Sequence, residues 1–420
     1  MILVKNSSKE GRIKMNFKFT KKNKPLILTI VSISLLFSVT IWFSANAITS
    51  QLIELWNLNQ VDIALLSMIL IIGFVIGGLV YSIFNLPDLI KTPKFFSFNA
   101  FLGAFTNFFA ALSPNFLIFT VFRFTTGFFL AGVYPTSMKL ISSWFKKNRG
   151  LAIGILLGAL TAGSGLPYLF NLIQVPNWRI LLSFSSLFAL SGSLLVYFFI
   201  QEGSHVSRGA KFKLSNLKDL FKQKSIRLAN YAYFGHMWEL YAFWVWIPSF
   251  LEAVYSQSNS AGNAILYVSL GTFLIFISGA LGNIIGGKIS DSIGRTKFNI
   301  IMLAISGTSS LIIGFFLNNL IFALLIAILW GLTIVPDSPQ YSAMISELSD
   351  PAYIGTALAI QISLGFALTN ISISLLPFFV NLIGWQFGFI FLVIGPLFGI
   401  FSLIQLRKES DSIKIAQGKK

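Results

Sequence analysis

The chain has no cysteine, two histidines and 14 acidic residues among 420. Disulfides and thiolate metal centres are excluded, although in a membrane protein this says little about redox compartment. With only His205 and His236, no H-E-x-x-H cluster forms, and no nucleophile stands beside a base, so neither enzyme chemistry nor a metal or cofactor is expected. The phosphate-binding loop G-x-x-x-x-G-K-S/T is missing too, which removes a nucleotide-driven pump. Charge itself is scarce at 11% of residues, where an ordinary soluble domain carries about a quarter.

What fills the chain instead is apolar, at 55% of residues with 44 Phe. A bilayer crossing needs about 20 mostly apolar residues. Twelve such runs fall near 25–47, 61–84, 95–113, 116–141, 150–173, 179–201, 226–251, 261–287, 298–317, 319–343, 353–380 and 384–406. The reading is an all-α membrane protein of twelve transmembrane helices. A basic tail over 1–24 precedes a six-helix bundle over 25–201, a linker over 202–225 joins it to a second bundle over 226–406, and a tail over 407–420 follows.

A net charge of +17 would suggest nucleic acid as the partner of a soluble protein. Here it orients the chain in the bilayer. All but Arg123 and Arg179 of the 31 Lys and Arg lie in the tails or around even-numbered connections. The positive-inside rule then puts both termini in the cytoplasm of a multi-pass protein of the cytoplasmic membrane, and a monomer is the simplest state. Ala45-Asn46-Ala47 resembles the end of a signal peptide, but the run from Pro25 is span-length and belongs to the repeat described next.

Leu166-Pro167-Tyr168-Leu169-Phe170-Asn171-Leu172-Ile173 returns as Leu376-Pro377-Phe378-Phe379-Val380-Asn381-Leu382-Ile383, an offset of 210. Gly73, Gly77 and Gly78 of span 2 match Gly282, Gly286 and Gly287 of span 8, and Gly127 and Pro135 of span 4 match Gly331 and Pro339 of span 10. Asn177-Trp178-Arg179 corresponds to Gly384-Trp385-Gln386. Four matches in chain order indicate two six-helix repeats in parallel orientation, a route to alternating access around a midplane site.

Between spans 8 and 9 the chain reads Gly287-Lys-Ile-Ser-Asp291-Ser-Ile-Gly294-Arg295-Thr-Lys297. This resembles the G-x-x-x-D-x-x-G-R-x-K/R turn of major facilitator superfamily transporters. Gly287 permits close helix approach, Asp291 suits a helix N-terminus or Arg295, and Gly294 turns the chain. The equivalent place after Gly78 departs from the pattern, with Asp88 ten residues on instead of four and Lys91 and Lys94 beside it. Arg123-Phe-Thr-Thr-Gly127 is similar to the R-x-x-x-G signature of span 4 in that superfamily, and Trp144-Phe145 with Arg149-Gly150 resembles its connection into span 5. The sugar-porter and nitrate-porter motifs are absent, and the Gly-Pro motif of drug/proton antiporters is only partly echoed. WFSANA, GHMWELY and VPDSPQYSA together resemble a bacterial or archaeal branch whose substrate is unassigned.

In such proteins spans 1, 4, 7 and 10 line the central cavity, and the few charges inside spans fall there: Arg123, His236, Glu239 and Asp337. On span 7, Ala232, His236, Glu239, Phe243 and Trp246 share a helical face. Glu239 lies twelve residues beyond Arg227, about 18 Å along the helix and near mid-bilayer. A carboxyl there either carries a proton as the cavity hydrates and dries or fastens helices through His236. Asp337, between Pro336 and Pro339, marks a kink with free carbonyls, with Thr333 and Gln340 on its face; it is an ion or substrate contact or the cap of a distorted turn. Arg123 either attracts an anion or is a fixed structural charge, and Arg179 suits an interfacial anchor. Trp42 and Trp246 are candidate stacking surfaces, with Ser44, Asn46, Gln361, Thr369 and Asn370 as further cavity candidates.

The expected function is secondary active transport of a small organic solute, with protons as the coupling ion through Glu239. A transporter-like receptor that binds without flux is the alternative.

Overall fold

The computed structural model describes residues 3–4, 16–17, 23–145, 149–172, 177–204, 222–258, 262–350 and 354–419. Most of the basic tail, linker residues 205–221 with His205, and Lys146 and Lys147 lie outside the described residues. A two-residue antiparallel pairing joins Leu3–Val4 to Asn16–Phe17 ahead of the helices.

Helices occupy all twelve expected places. Span 1 runs from Lys24–Ser38 through a broken stretch into Thr49–Trp56, span 2 is Gln60–Ile83 and span 3 is Thr92–Ala111. Span 4 comprises Phe116–Leu130 and Tyr134–Trp144, span 5 is Arg149–Asn171 and span 6 is Trp178–Phe199. Span 7 is Lys224–Gln257, span 8 Ala264–Ile293 and span 9 Arg295–Ile312. Span 10 comprises Leu320–Ile334 and Ser338–Leu348, span 11 is Ile354–Ile383, and span 12 starts at Trp385 and ends with Ile394–Lys408. Ten are long and apolar enough to cross a membrane. The other two, spans 3 and 7, are rich in Asn, Ser, Tyr and Trp, yet their 20 and 34 residues are long enough.

An even number of crossings leaves Lys24 and Lys408 on one side, the base; the opposite is the far side. Spans 2, 4, 6, 8 and 10 all start on the far side, and each is capped by an asparagine: Asn59, Asn115, Asn177, Asn263 and Asn319 accept from backbone N–H groups of the first turn. The side-chain oxygen satisfies donors that have no partner within the helix.

The repeated prolines and glycines have structural counterparts. Pro135 and Pro339 each sit second in the restarted piece of spans 4 and 10, where a missing N–H prevents the ladder from running through. A side chain at Gly73 would strike the Phe124 carbonyl of span 4, and one at Gly282 the Leu332 carbonyl of span 10. The same close approach thus joins span 2 to span 4 and span 8 to span 10. Between the halves, span 5 packs along span 8 and span 2 along span 11.

Candidate functional site

The two halves meet through aromatic rings. Trp42, in the broken stretch of span 1, lies 6.0 Å from Tyr241 of span 7 and 5.9 Å from Phe366 of span 11. Phe43 packs on Trp244 and Phe276 at 5.8 and 5.4 Å. Tyr134, at the restart of span 4, is close enough to Tyr233 and Tyr241 for electrostatic interaction. On the far side Gln60 and Asn381 exchange two amide hydrogen bonds of 3.0 and 2.7 Å, tying span 2 to span 11. Trp42 therefore sits at the interface between the halves. Gln361 of span 11 is fully buried, and neither its amide oxygen nor its nitrogen has a hydrogen-bond partner.

The span 7 face read from the sequence exists but points elsewhere. Ala232 lies against Gly399 of span 12, and Phe243 packs on Trp330 of span 10 at 4.1 Å. Trp246 donates to the Ile373 carbonyl at 3.0 Å. The expected central position of Glu239 and Trp246 is thus corrected: this face is turned into the second bundle. Tyr233, Tyr241 and Trp244 on the opposite side meet the first half. Glu239 is fully buried, its Oε1 accepting from Trp330 Nε1 at 2.8 Å and its Oε2 from Ser306 Oγ at 2.9 Å. No basic group pairs with it among the described residues.

One turn toward the base, His236 Nδ1 lies 3.0 Å from Asp337 Oδ1, at ion-pair distance but out of line for a hydrogen bond, and Nε2 has no hydrogen-bond partner. Tyr341 donates to Asp337 Oδ2 at 3.2 Å, and the Asp337 carbonyl accepts from Asn299 at 3.4 Å. The break in span 10 thus carries a buried acid held by spans 7, 9 and 10. The His236–Glu239 fastening offered as one alternative gives way to His236–Asp337: although the two side chains share a face of span 7, Trp330 and Ser306 occupy the Glu239 carboxylate and Asp337 faces His236.

Arg123 is fully buried and faces no acid among the described residues. Its guanidinium donates to the carbonyls of Ile41 and Trp42 at 2.8 and 2.6 Å, to Asn107 at 2.7 Å and to Ser44 at 3.3 Å. Span 1 breaks here, and the freed carbonyls need donors in a medium without water. The planar fork supplies them from span 4. Asn46 donates to Ser67 of span 2 at 2.6 Å, beside the same break.

At the base, Gly294 has φ +94°, which favours glycine, and turns span 8 into span 9. Gly287 leaves room for Gly150 and Gly154 of span 5, and Asp291 Oδ2 lies 2.8 Å from where a Cβ on Gly150 would be. The carboxylate therefore rests on the positive N-terminus of span 5, in the other half. Arg295 lies 3.3 Å from Asp291 and grips Glu347 of span 10 through Nε and Nη2 at 3.0 to 3.2 Å. Gln340 accepts from Arg295 at 2.7 Å, so it belongs to this turn and not to a cavity with Asp337. Lys297 is exposed. In the first half, Asp88 pairs with Lys139 of span 4, while Lys91 and Lys94, beside it in the sequence, are exposed. Ser306, Trp330, Tyr341, Lys139 and Glu347 were not singled out in the sequence. Only tertiary packing brings them to their partners.

A family model described as Major Facilitator Superfamily matches residues 30–280. The probable sulfoacetate transporter SauU of Cupriavidus necator is 25% identical over 205 residues, 44% of this chain and 46% of that protein. The probable L-galactonate transporter of Escherichia coli is 22% identical over 196 residues, 42% of either chain. The match thus spans less than half the length of these curated relatives. Among solved structures, a D-xylose-proton symporter superposes with TM-score 0.70 at 15% identity, covering 93% of this chain and 98% of its own. A bacterial homologue of the human lysosomal transporter Spinster, inward-facing and occupied, gives 0.69 at 11% identity with the same coverage. At these identities the likeness concerns the fold.

Proposed function

The chain belongs to the major facilitator superfamily, and from that membership we propose that it is a secondary active transporter that moves a small organic anion together with protons by alternating access. The base is the cytoplasmic side of the cytoplasmic membrane on this reading, in keeping with the clustering of Lys and Arg there.

The observation that carries the proposal is the set of four ionisable groups buried mid-chain. Among the described residues Arg123 has no counter-ion, Glu239 has none, and the one basic group at Asp337 is His236. With both acids ionised and His236 neutral, one positive charge stands against two negative. Protonating both acids leaves the guanidinium alone, and the interior turns net positive. In a low-dielectric medium such a change of sign acts over several ångströms. Protons then favour entry of an anion, and its release frees them. Two relatives point the same way, since sulfoacetate and galactonate, the solutes for which they are named, are both small organic anions.

Uptake of labelled carboxylates and sulfonates into proteoliposomes, with and without an acid-outside gradient, tests the reading. Accumulation of an anion that follows the gradient and collapses with a protonophore is expected. Flux indifferent to pH removes the protons from the cycle, and saturable binding without flux selects a receptor instead.

A further inference from the structure

Beyond span 12 the chain does not leave the molecule. Glu409 is extended, and the chain from Ser410 lies across the base of the second half in 3-10 turns that kink at Ile415, Ala416 and Gln417, the last two at positive φ. Lys224 pairs with Glu409 at 2.8 Å, and Asp411 accepts from Gln223 at 3.0 Å and Ser225 at 3.3 Å, at the first turn of span 7. Ile415 is fully buried, next to the lower piece of span 10. The Ala416 amide then donates to Glu347 Oε2 at 3.1 Å, and Lys419 Nζ to the Asp291 carbonyl at 2.9 Å.

The two groups reached last are those that hold the base together. Glu347 is the carboxylate gripped by Arg295, and Asp291 is the residue resting on span 5 of the other half. A tail that merely covered apolar surface needs no contact with either. We infer that residues 409–419 form a clasp: docked on spans 7, 8 and 10, the segment holds the Asp291–Arg295–Glu347 turn in the arrangement that joins the two halves at the base, and its release lets the base open. This regulation rests on the alternating-access reading.

The physical argument is one of shared partners. Opening the base separates span 8 from span 5, and so shifts Asp291 and the turn it begins. The docking spans all belong to the second half, so the segment acts through the shape of the turn that fits span 5: with Lys419 on the Asp291 carbonyl and Ala416 on the Glu347 carboxylate, moving Asp291 relative to Glu347 must stretch the tail or peel Ile415 from its site. Ordered segments that bridge two moving elements bias the equilibrium by whatever docking energy they lose on opening.

The native absence of cysteine supplies the test. Gln361→Cys gives a single thiol about 10 Å in from the base end of span 11, and its labelling by a water-soluble maleimide in detergent reports base opening without any transported solute. Ending the chain at Glu409 should speed labelling about tenfold, which corresponds to about 1.4 kcal/mol of docking energy. Ile415→Asp should do the same at full length, and Lys419→Ala, at an exposed position, should give a smaller change in the same direction. Equal rates in all four forms overturn the clasp while leaving alternating access intact. No labelling in any of them overturns base opening at this site, and the clasp with it.

Discussion

The indole of Trp330 donates from the upper piece of a broken helix, span 10, to the carboxylate of Glu239 on the unbroken span 7, at 2.8 Å. The contact lies one turn from the His236–Asp337 pair, which holds the break of that same span 10. On the proposed proton-coupled cycle, a proton arriving at Glu239 would change how span 10 is held against span 7. Such a link connects charge to helix position without requiring the substrate to touch Glu239.

Glu239→Gln keeps the shape and an acceptor for Trp330 but fixes the group as neutral. The expected outcome is loss of gradient-driven accumulation with substrate exchange retained, measured as uptake against counterflow in the same proteoliposomes. Gradient-driven uptake at the wild-type level in this variant would reduce Glu239 to a helix fastener.

Arg123 presents the opposite case, a buried charge whose hydrogen bonds are structural. Arg123→Ala leaves the Trp42 carbonyl without its donor and the Ile41 carbonyl with Ser44 Oγ alone, and a buried group so orphaned costs about 1–3 kcal/mol. A fall in Tm by several degrees is expected in detergent, with Arg123→Lys failing to restore it because a single ammonium cannot span both carbonyls and Asn107. Full rescue by lysine would show that charge alone matters.

The twelve helices were legible because each crossing imposes its length on the sequence, and the repeat was legible because Gly and Pro have backbone consequences that survive as identities. Pro135 and Pro339 even locate the breaks in spans 4 and 10. The break in span 1 was not legible: no proline or glycine marks Ser38 to Ile48, and donors from other helices, Arg123 of span 4 and Asn171 of span 5, make it tolerable. For the same reason the direction of the Glu239 face could not be read. Periodicity groups Ala232, Glu239 and Trp246 on one side of span 7, but which side meets the other half depends on Trp330, Ser306 and Gly399, far away in the chain.

The reciprocal amides of Gln60 and Asn381 are the far-side counterpart of the Asp291 contact at the base. Gln60→Cys with Asn381→Cys in a chain free of other thiols should cross-link under mild oxidation or with a short bifunctional maleimide. Transport should stop and, for the disulfide, return with reductant. Cross-linking without effect on transport would mean that spans 2 and 11 stay together on this side throughout the cycle.

Tail docking has its own pH dependence. Asp411 is held below the usual aspartate range, first by its hydrogen bond to Lys414 and then by that from Gln223. Lys414 belongs to the segment itself, whereas Gln223 and Ser225 belong to the start of span 7, so the part of the lowering that they cause means that the ionised form favours docking. The contribution is complete above the ordinary aspartate value of 3.8 and is lost as pH falls through the lowered one. At neutral pH it is therefore fully present, and Asp411→Asn removes it there. The Gln361→Cys labelling rate should rise in Asp411→Asn at pH 7, whereas acidification from pH 7 to 5.5 should leave the Asp411 contribution untouched. If Asp411→Asn labels at the unsubstituted rate, then Ile415 and the Glu347 and Asp291 contacts hold the segment alone, and the carboxylate at the start of span 7 is incidental to docking.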